Sequence, residues 1–200
     1  MSHGERDDLR NRMRERRTSL APGERIAAAR GVGEQLETLP EFLVDLRIGA
    51  YWAVRGELPL SHALPALFRR GQIVCLPVLG PEQRLRFAPW LPGQDLAANR
   101  YGIPEPEQNA ASAVDPHALD LVLVPLLAFD RRGHRLGSGG GWYDRSFAFL
   151  QGQTRPAKTV LVGVGYAFQE VPMLPVEAHD VRLDFVVTER ELIDCNPATH

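Results

Sequence analysis

The chain has 200 residues, 44% of them hydrophobic and 24% charged, with a net charge of −2. That length can bury a core without disulfides or metal staples, and the composition excludes a wholly disordered protein. The slight acidity argues against nucleic-acid binding through bulk charge.

One skew stands out. Of the 23 basic residues only Lys158 is lysine, and six arginines fall within the first 17 residues. Any anion-binding task therefore falls to guanidinium groups. Glu5, Asp7, Asp8 and Glu15 interleave with those arginines, which is unlike a nucleic-acid-binding tail. The N-terminus lacks the apolar stretch of a secretory signal, and no run of about 18 apolar residues could span a membrane. Cys75 and Cys195 form no C-x-x-C pair, and Cys75 sits in the apolar run IVCLPVL as a small buried hydrophobe. The expectation is a cytoplasmic protein without membrane contact.

In chain order, residues 5–20 read as a helix with a thin apolar stripe of Leu9, Met13 and Leu20. Pro22 and Glu24 open a second helix that runs to about Leu36, so the first forty residues read as an antiparallel helix pair. Ile48 to Val54 reads as a buried strand, Leu60 to Arg70 as a helix and Ile73 to Val78 as a strand. Arg84 to Pro89 alternates as a more exposed strand, and residues 104–117 read as a loop. Leu119 to Phe129, Thr159 to Phe168 and Phe185 to Thr188 complete the strands. Continuous apolar runs separated by helices predict a mostly parallel, covered sheet. There is no internal repeat, and one domain spanning residues 1–195 is expected.

The most informative stretch is FDRRGHRLGSGGGWYDR, residues 129–145. It follows the strongest apolar run and precedes a predicted helix, Trp142 to Leu150. Glycines let backbone N–H groups approach an anion, and a helix start adds unpaired donors. Arg135 can fork onto phosphate oxygens, and Asp144 can hold a hard cation such as Mg²⁺. The segment is neither a G-x-x-x-x-G-K-[ST] loop nor a G-x-G-x-x-G fingerprint. The bland alternative is a flexible loop, but such a loop does not need Trp142 and Tyr143 at its exit.

This run resembles the signature of the 5-formyltetrahydrofolate cyclo-ligase family, FD-x-x-G-x-RLG-x-G-x-G-[YF]-YD. Other segments are similar in the family's order: Arg6 to Arg10, Val54 to Glu57, Tyr101-Gly-Ile-Pro-Glu-Pro106, Gly163 to Gln169, Pro172 to Pro175, His179-Asp180 and Asp184 to Glu189. The resemblance implies a three-layer α/β/α domain with a mostly parallel sheet and an N-terminal helix pair. It implies ATP-dependent closure of 5-formyltetrahydrofolate to 5,10-methenyltetrahydrofolate through a phosphorylated formyl oxygen, in a cleft over the carboxyl ends of the central strands.

Residue by residue, the resemblance implies that Arg6 and Arg10 meet ATP phosphates, together with the loop Arg135, Leu136, Gly137, Ser138, Gly139, Gly140, Gly141, Trp142 and Tyr143. Arg135 and Tyr143 are the implied catalytic residues, and Asp144 and Asp180 the implied Mg²⁺ carboxylates. Glu57, Tyr101 and Trp142 are the implied folate contacts. The implied partners are small molecules only, with no nucleic acid, and the protein is expected to be a monomer. The family's pattern differs at four positions: Arg6 stands where lysine is common, Ser138 where a basic residue often occurs, Trp142 for Tyr or Phe, and Tyr101 for Trp. The alternative is a non-catalytic folate- or nucleotide-binding module on the same fold.

Overall fold

The computed structural model describes residues 3–107 and 112–196. Two helices open the chain, α1 (His3–Ser19) and α2 (Pro22–Leu36), followed by a short α3 (Pro40–Val44). Then come β1 (Arg47–Gly49), α4 (Ala63–Arg69), β2 (Ile73–Leu79) and β3 (Leu85–Pro89). A small arm follows, β4 (Leu96–Ala98) and β5 (Pro104–Pro106), and then β6 (Leu121–Pro125). The glycine-rich segment is bracketed by β7 (Ala128–Phe129), β8 (Arg135–Leu136) and α5 (Trp142–Phe147). Last are β9 (Val160–Val164), β10 (Phe185–Val187) and β11 (Leu192–Asp194).

The main sheet has the order β11-β10-β9-β6-β1-β2-β3. Every pairing from β10 to β2 is parallel, and only the edges β3 and β11 run antiparallel. Side chains alternate across it as the period of two requires. Leu121, Leu123, Val160 and Val162 enter one core with α2 and α4, whereas Val122, Val124 and Leu161 enter a second core with Phe147 and Leu150. Both faces are therefore covered, which makes the three-layer α/β/α arrangement with a mostly parallel sheet. Cys75 and Cys195 are buried free thiols, and burial pushes Cys75 up to about 11.

Several elements differ from the sequence reading for identifiable reasons. The strand expected over 48–54 ends at Gly49, because the chain leaves the sheet there and turns over its end. The run from Leu119 to Phe129 divides. Pro125 closes the pairing with β9, and Ala128 and Phe129 start a separate hairpin with Leu136 and Arg135. The run from Thr159 stops at Val164. The helix from Trp142 is six residues long and tightens at Ala148–Leu150. The segment read as a loop over 104–117 contains β5, paired with β4; residues 108–111 lie outside the described residues. The two N-terminal helices serve different cores: Leu9 of α1 packs with Ala128, Leu136 and Leu174, while Ala28, Ala29, Val32 and Leu36 of α2 pack on the sheet.

The Asp130 carboxylate explains the first half of the FD-x-x-G run. It is fully buried and accepts the amides of Arg132, His134 and Leu174. Burial alone would raise its pKa, but the Leu174 amide, His134 and Arg132 outweigh that and hold it below the usual carboxylate value. His134 thus has a turn-holding role. Gly133 sits at φ +83°, and a Cβ there would lie 2.5 Å from the Leu183 carbonyl oxygen. Gly133→Ala is expected to cost about 2 kcal/mol and lower Tm by roughly 6 °C, measured by thermal denaturation.

Candidate active site

A cleft of about 400 Å³ opens over the carboxyl ends of β1, β6 and β2. It lies where the strand order reverses, with β6 and β2 on opposite sides of β1. Open α/β sheets bind ligands at such points because the connections diverge there and leave a crevice.

One wall is the glycine-rich loop. Gly139 and Gly141 adopt left-handed conformations, at φ +103° and +63°. Among the described residues, the amides of Ser138, Gly139 and Gly140 donate to no backbone carbonyl. The loop's carbonyls, by contrast, are held. Gly137 O accepts Arg10 Nε at 3.1 Å, Ser138 O accepts Arg14 Nη2 at 3.1 Å, and Gly140 O accepts Arg145. A loop with its carbonyls tied and its amides open is disposed to meet an anion. Because α5 is short, the loop amides and flanking guanidiniums, rather than a long helix dipole, supply that potential.

The α1 arginines converge on this region. Arg6 is largely buried, pairs with Glu177, and its Nε is buried without a hydrogen-bond partner. Arg10 also pairs with Asp7 at 2.6 Å. Together with Arg14 and Arg17 they form one stripe, spaced four, four and three apart, so they share a helix face. The cluster that might have been an exposed nucleic-acid tail therefore has four of its six arginines bonded to this domain's own backbone or carboxylates.

Arg135 stands opposite, half-buried as a residue but with its side chain only 5% exposed. Its Nη2 donates to Asp144 Oδ1 at 2.6 Å and its Nη1 to the Val181 carbonyl, while the Val181 amide donates back to Asp144 Oδ1 at 3.1 Å. The guanidinium is fixed before any ligand arrives. Asp180 accepts the Glu177 amide at 2.8 Å. The ligand atoms of Glu177, His179 and Asp180 lie within 4.8 Å of one another, and Asp144 lines the same cleft. Burial, reinforced by Glu57, pushes the Tyr143 hydroxyl well above its usual range. It therefore stays protonated near neutrality and can only donate or accept a hydrogen bond.

The other end of the cleft is aromatic. Tyr101 and Trp142 meet edge to face at 6.1 Å, and the Arg100 guanidinium lies 5.1 Å from the Tyr101 ring centre. The β4–β5 arm brings Tyr101, Asn99 and Ile103 to this wall. Between the two ends lies Glu57, on a turn with Arg55 at φ +51° and Gly56 at φ +76°. Its Oε2 accepts the Val54 amide at 3.1 Å. Burial raises this carboxyl, and the Val54 amide, Arg17 and Arg55 oppose the rise.

All of the residues singled out in the sequence line this one cleft except Leu136, which is buried beneath the loop with Leu9. The family model for the 5-formyltetrahydrofolate cyclo-ligase family matches residues 2–189. The chain belongs to that family. It is 34% identical over 178 residues to the 5-formyltetrahydrofolate cyclo-ligase of Escherichia coli, covering 88% of this chain and 96% of that one. To the Haemophilus influenzae enzyme of the same name it is 32% identical, covering 92% and 97%. The NMR structure of Aquifex aeolicus 5,10-methenyltetrahydrofolate synthetase superposes with a TM-score of 0.80 at 29% identity, covering 98% of this chain and 95% of that one. The membership is that of an enzyme family, and no described helix is long and apolar enough to cross a membrane.

Four cleft-associated residues of this family member were not apparent beforehand. Arg14 and Arg17 carried a signal, their helical spacing from Arg10. Glu177 and Trp52 carried none, because each reaches the site only through a loop. The double variant Arg10→Ala/Arg14→Ala removes the donors to Gly137 and Ser138 and leaves Arg145 on Gly140. Backbone 15N order parameters of residues 137–141 are expected to fall from about 0.85 to below about 0.6, while those of the central strands are unchanged.

Proposed function

We propose that this chain is an ATP-dependent 5-formyltetrahydrofolate cyclo-ligase, acting as a monomer in the cytoplasm, with residues 1–195 as one catalytic domain. The observation that carries this reading is the single cleft in which open loop amides and fixed guanidiniums face an aromatic wall and a buried acid. Cytoplasmic action is supported by two buried thiols.

A formamide is a poor electrophile and its oxygen a poor leaving group. In the proposed reaction the formyl oxygen attacks the γ-phosphorus of ATP and ADP departs. N10 then attacks the activated formyl carbon and gives up its proton to the departing phosphate or to solvent, and inorganic phosphate leaves with that oxygen. The protein's contribution is positioning and charge stabilisation. The amides of Ser138, Gly139 and Gly140, with Arg6 and Arg10, receive the phosphates. Arg135, held by Asp144 and Val181, faces the charge that develops on the transferred phosphoryl group without needing to reorganise. Tyr143, protonated, donates a hydrogen bond there. Glu57 accepts from pteridine N–H groups, and Tyr101 and Trp142 flank the ring.

The carboxylates fit Mg²⁺, since they supply the hard oxygen donors it prefers. Asp144 and Asp180 would hold it, with Glu177 close enough to Asp180 to join them. When bound, it would neutralise phosphate charge.

Purified protein with Mg-ATP and 5-formyltetrahydrofolate is expected to form the absorbing methenyl product with equimolar ADP and phosphate. Binding of both ligands without product would favour the non-catalytic alternative. Asp144→Asn is expected to lower kcat by at least about a hundredfold with little change in Tm, since it loosens Arg135 and removes a carboxylate from the phosphate end. Near-normal turnover in that variant would remove Asp144 from the mechanism.

A further inference from the structure

Arg17 belongs to none of the motifs that mark this family in the sequence. It is 3% exposed and is the one cation among the fully buried polar residues described. Among the described residues no carboxylate lies within ion-pair distance of it. A buried guanidinium without a contacting carboxylate is costly, so its surroundings must compensate in other ways.

Its bonds go to two backbone carbonyls that belong to the cleft. Nη2 donates to the Arg55 carbonyl at 2.9 Å and Nη1 to the Leu126 carbonyl at 3.4 Å. Arg55 begins the left-handed turn that carries Glu57, and Leu126 follows directly on β6 and lines the cleft. The turn also packs on α1 directly, because a Cβ on Gly56 would lie 3.1 Å from the Arg17 carbonyl oxygen. On the far side of the turn, Tyr51 Oη donates to the Leu58 carbonyl at 2.5 Å. The strained Arg55 and its neighbour Gly56 are thus held at both ends, and Arg17 ties them to the end of the central strand.

We propose that Arg17 is a positioning residue for Glu57, fixing the 54–57 turn against β6 and supplying the counter-charge for its carboxylate. The role assigned to Glu57 rests on the functional reading above; the coupling of the two residues does not. The electrostatics agree with the geometry. Burial lowers the affinity of Arg17 for its proton and Glu57 opposes that fall most strongly, while Arg17 in turn opposes the rise that burial imposes on Glu57. The other groups facing Glu57 are Arg55 on its own turn and the Tyr51 and Tyr143 hydroxyls, which stay neutral. Arg17 is therefore the cation from outside the turn that, after the Val54 amide, most favours the ionised form of Glu57. Removing it moves the protonation of Glu57 to higher pH.

The test uses Arg17→Met, which removes charge and fork, and Arg17→Lys, which keeps the charge and loses the fork. For Arg17→Met, KM for 5-formyltetrahydrofolate is expected to rise about tenfold with KM for ATP within about twofold. The acid limb of kcat/KM for the folate should move to higher pH. Arg17→Lys should restore the position of that limb but leave folate KM raised several-fold. If Arg17→Met does not fold, the Lys variant decides: unchanged folate KM there overturns the proposal. Equal rises in both KM values with no movement of the limb also overturn it, since a merely structural residue would behave so.

Carbon-13 titration of the Glu57 carboxyl, assigned with Glu57→Gln, needs no substrate. A raised midpoint in Arg17→Met without any turnover in the parent protein would sink the functional reading and leave the coupling intact. Normal turnover with an unmoved midpoint would do the reverse.

Discussion

Backbone carbonyls in the loops and turns at the carboxyl end of the sheet take donors from guanidinium groups of α1. Arg10 and Arg14 reach Gly137 and Ser138, and Arg17 reaches Arg55 and Leu126. A guanidinium suits this task because its five N–H donors lie in one plane and can serve two carbonyls at once. A lysine in these places would bring the same charge, but with its three donors on one rotatable nitrogen rather than in a fixed planar fork. The loop amides stay open because the carbonyls beside them are held, so the rest of the cleft depends on this one helix face. Leu9, packed with Ala128, Leu136 and Leu174, seats the helix that carries it.

The cleft combines two different electrostatic regimes. At the glycine-loop end three guanidiniums already have a carboxylate: Arg6 with Glu177, Arg10 with Asp7, Arg135 with Asp144. An anion entering there exchanges partners rather than meeting bare charge, which limits the desolvation cost of holding three cations together in its absence. At the other end, Glu57 is enclosed by the turn, by Tyr51 and Tyr143, and by Arg17 beyond contact distance. The aromatic wall of Tyr101 and Trp142 borders that end. Arginine predominates in this chain, and at the cleft the predominance has a mechanical meaning as well as an electrostatic one.

Much of the fold could be read in advance because burial on both faces of a parallel strand leaves continuous apolar runs. Ile73–Leu79 and Val160–Val164 are of that kind. The errors fall where an apolar run continues past the end of the sheet. Ala50 and Tyr51 are as buried as Ile48, so hydrophobicity does not mark where β1 stops. Leu126 and Leu127 similarly disguise the break between β6 and β7. The arm β4–β5 and the edge strand β11 escaped because LAA, PEP and LID lack the run of aromatic and β-branched residues that marks the equally short FVV of β10. At the site, Arg6, Arg10, Glu57, Tyr101, Asp144 and Asp180 were identifiable through motif resemblance, while Arg17 and Glu177 were not.

By itself the sequence determined the layered α/β class, the chemistry of the glycine-rich segment and the family, since these depend on residue type and short-range spacing. Tertiary structure alone decided which arginines face inward, that the loop carbonyls rather than its amides are tied down, and that a turn after β1 meets the C-terminal end of α1. Those relations join residues tens to more than a hundred positions apart, as between Arg17 and Leu126 or Arg10 and Gly137. The packing of α1 across the strand ends sets such distances, and no local pattern in the chain encodes them.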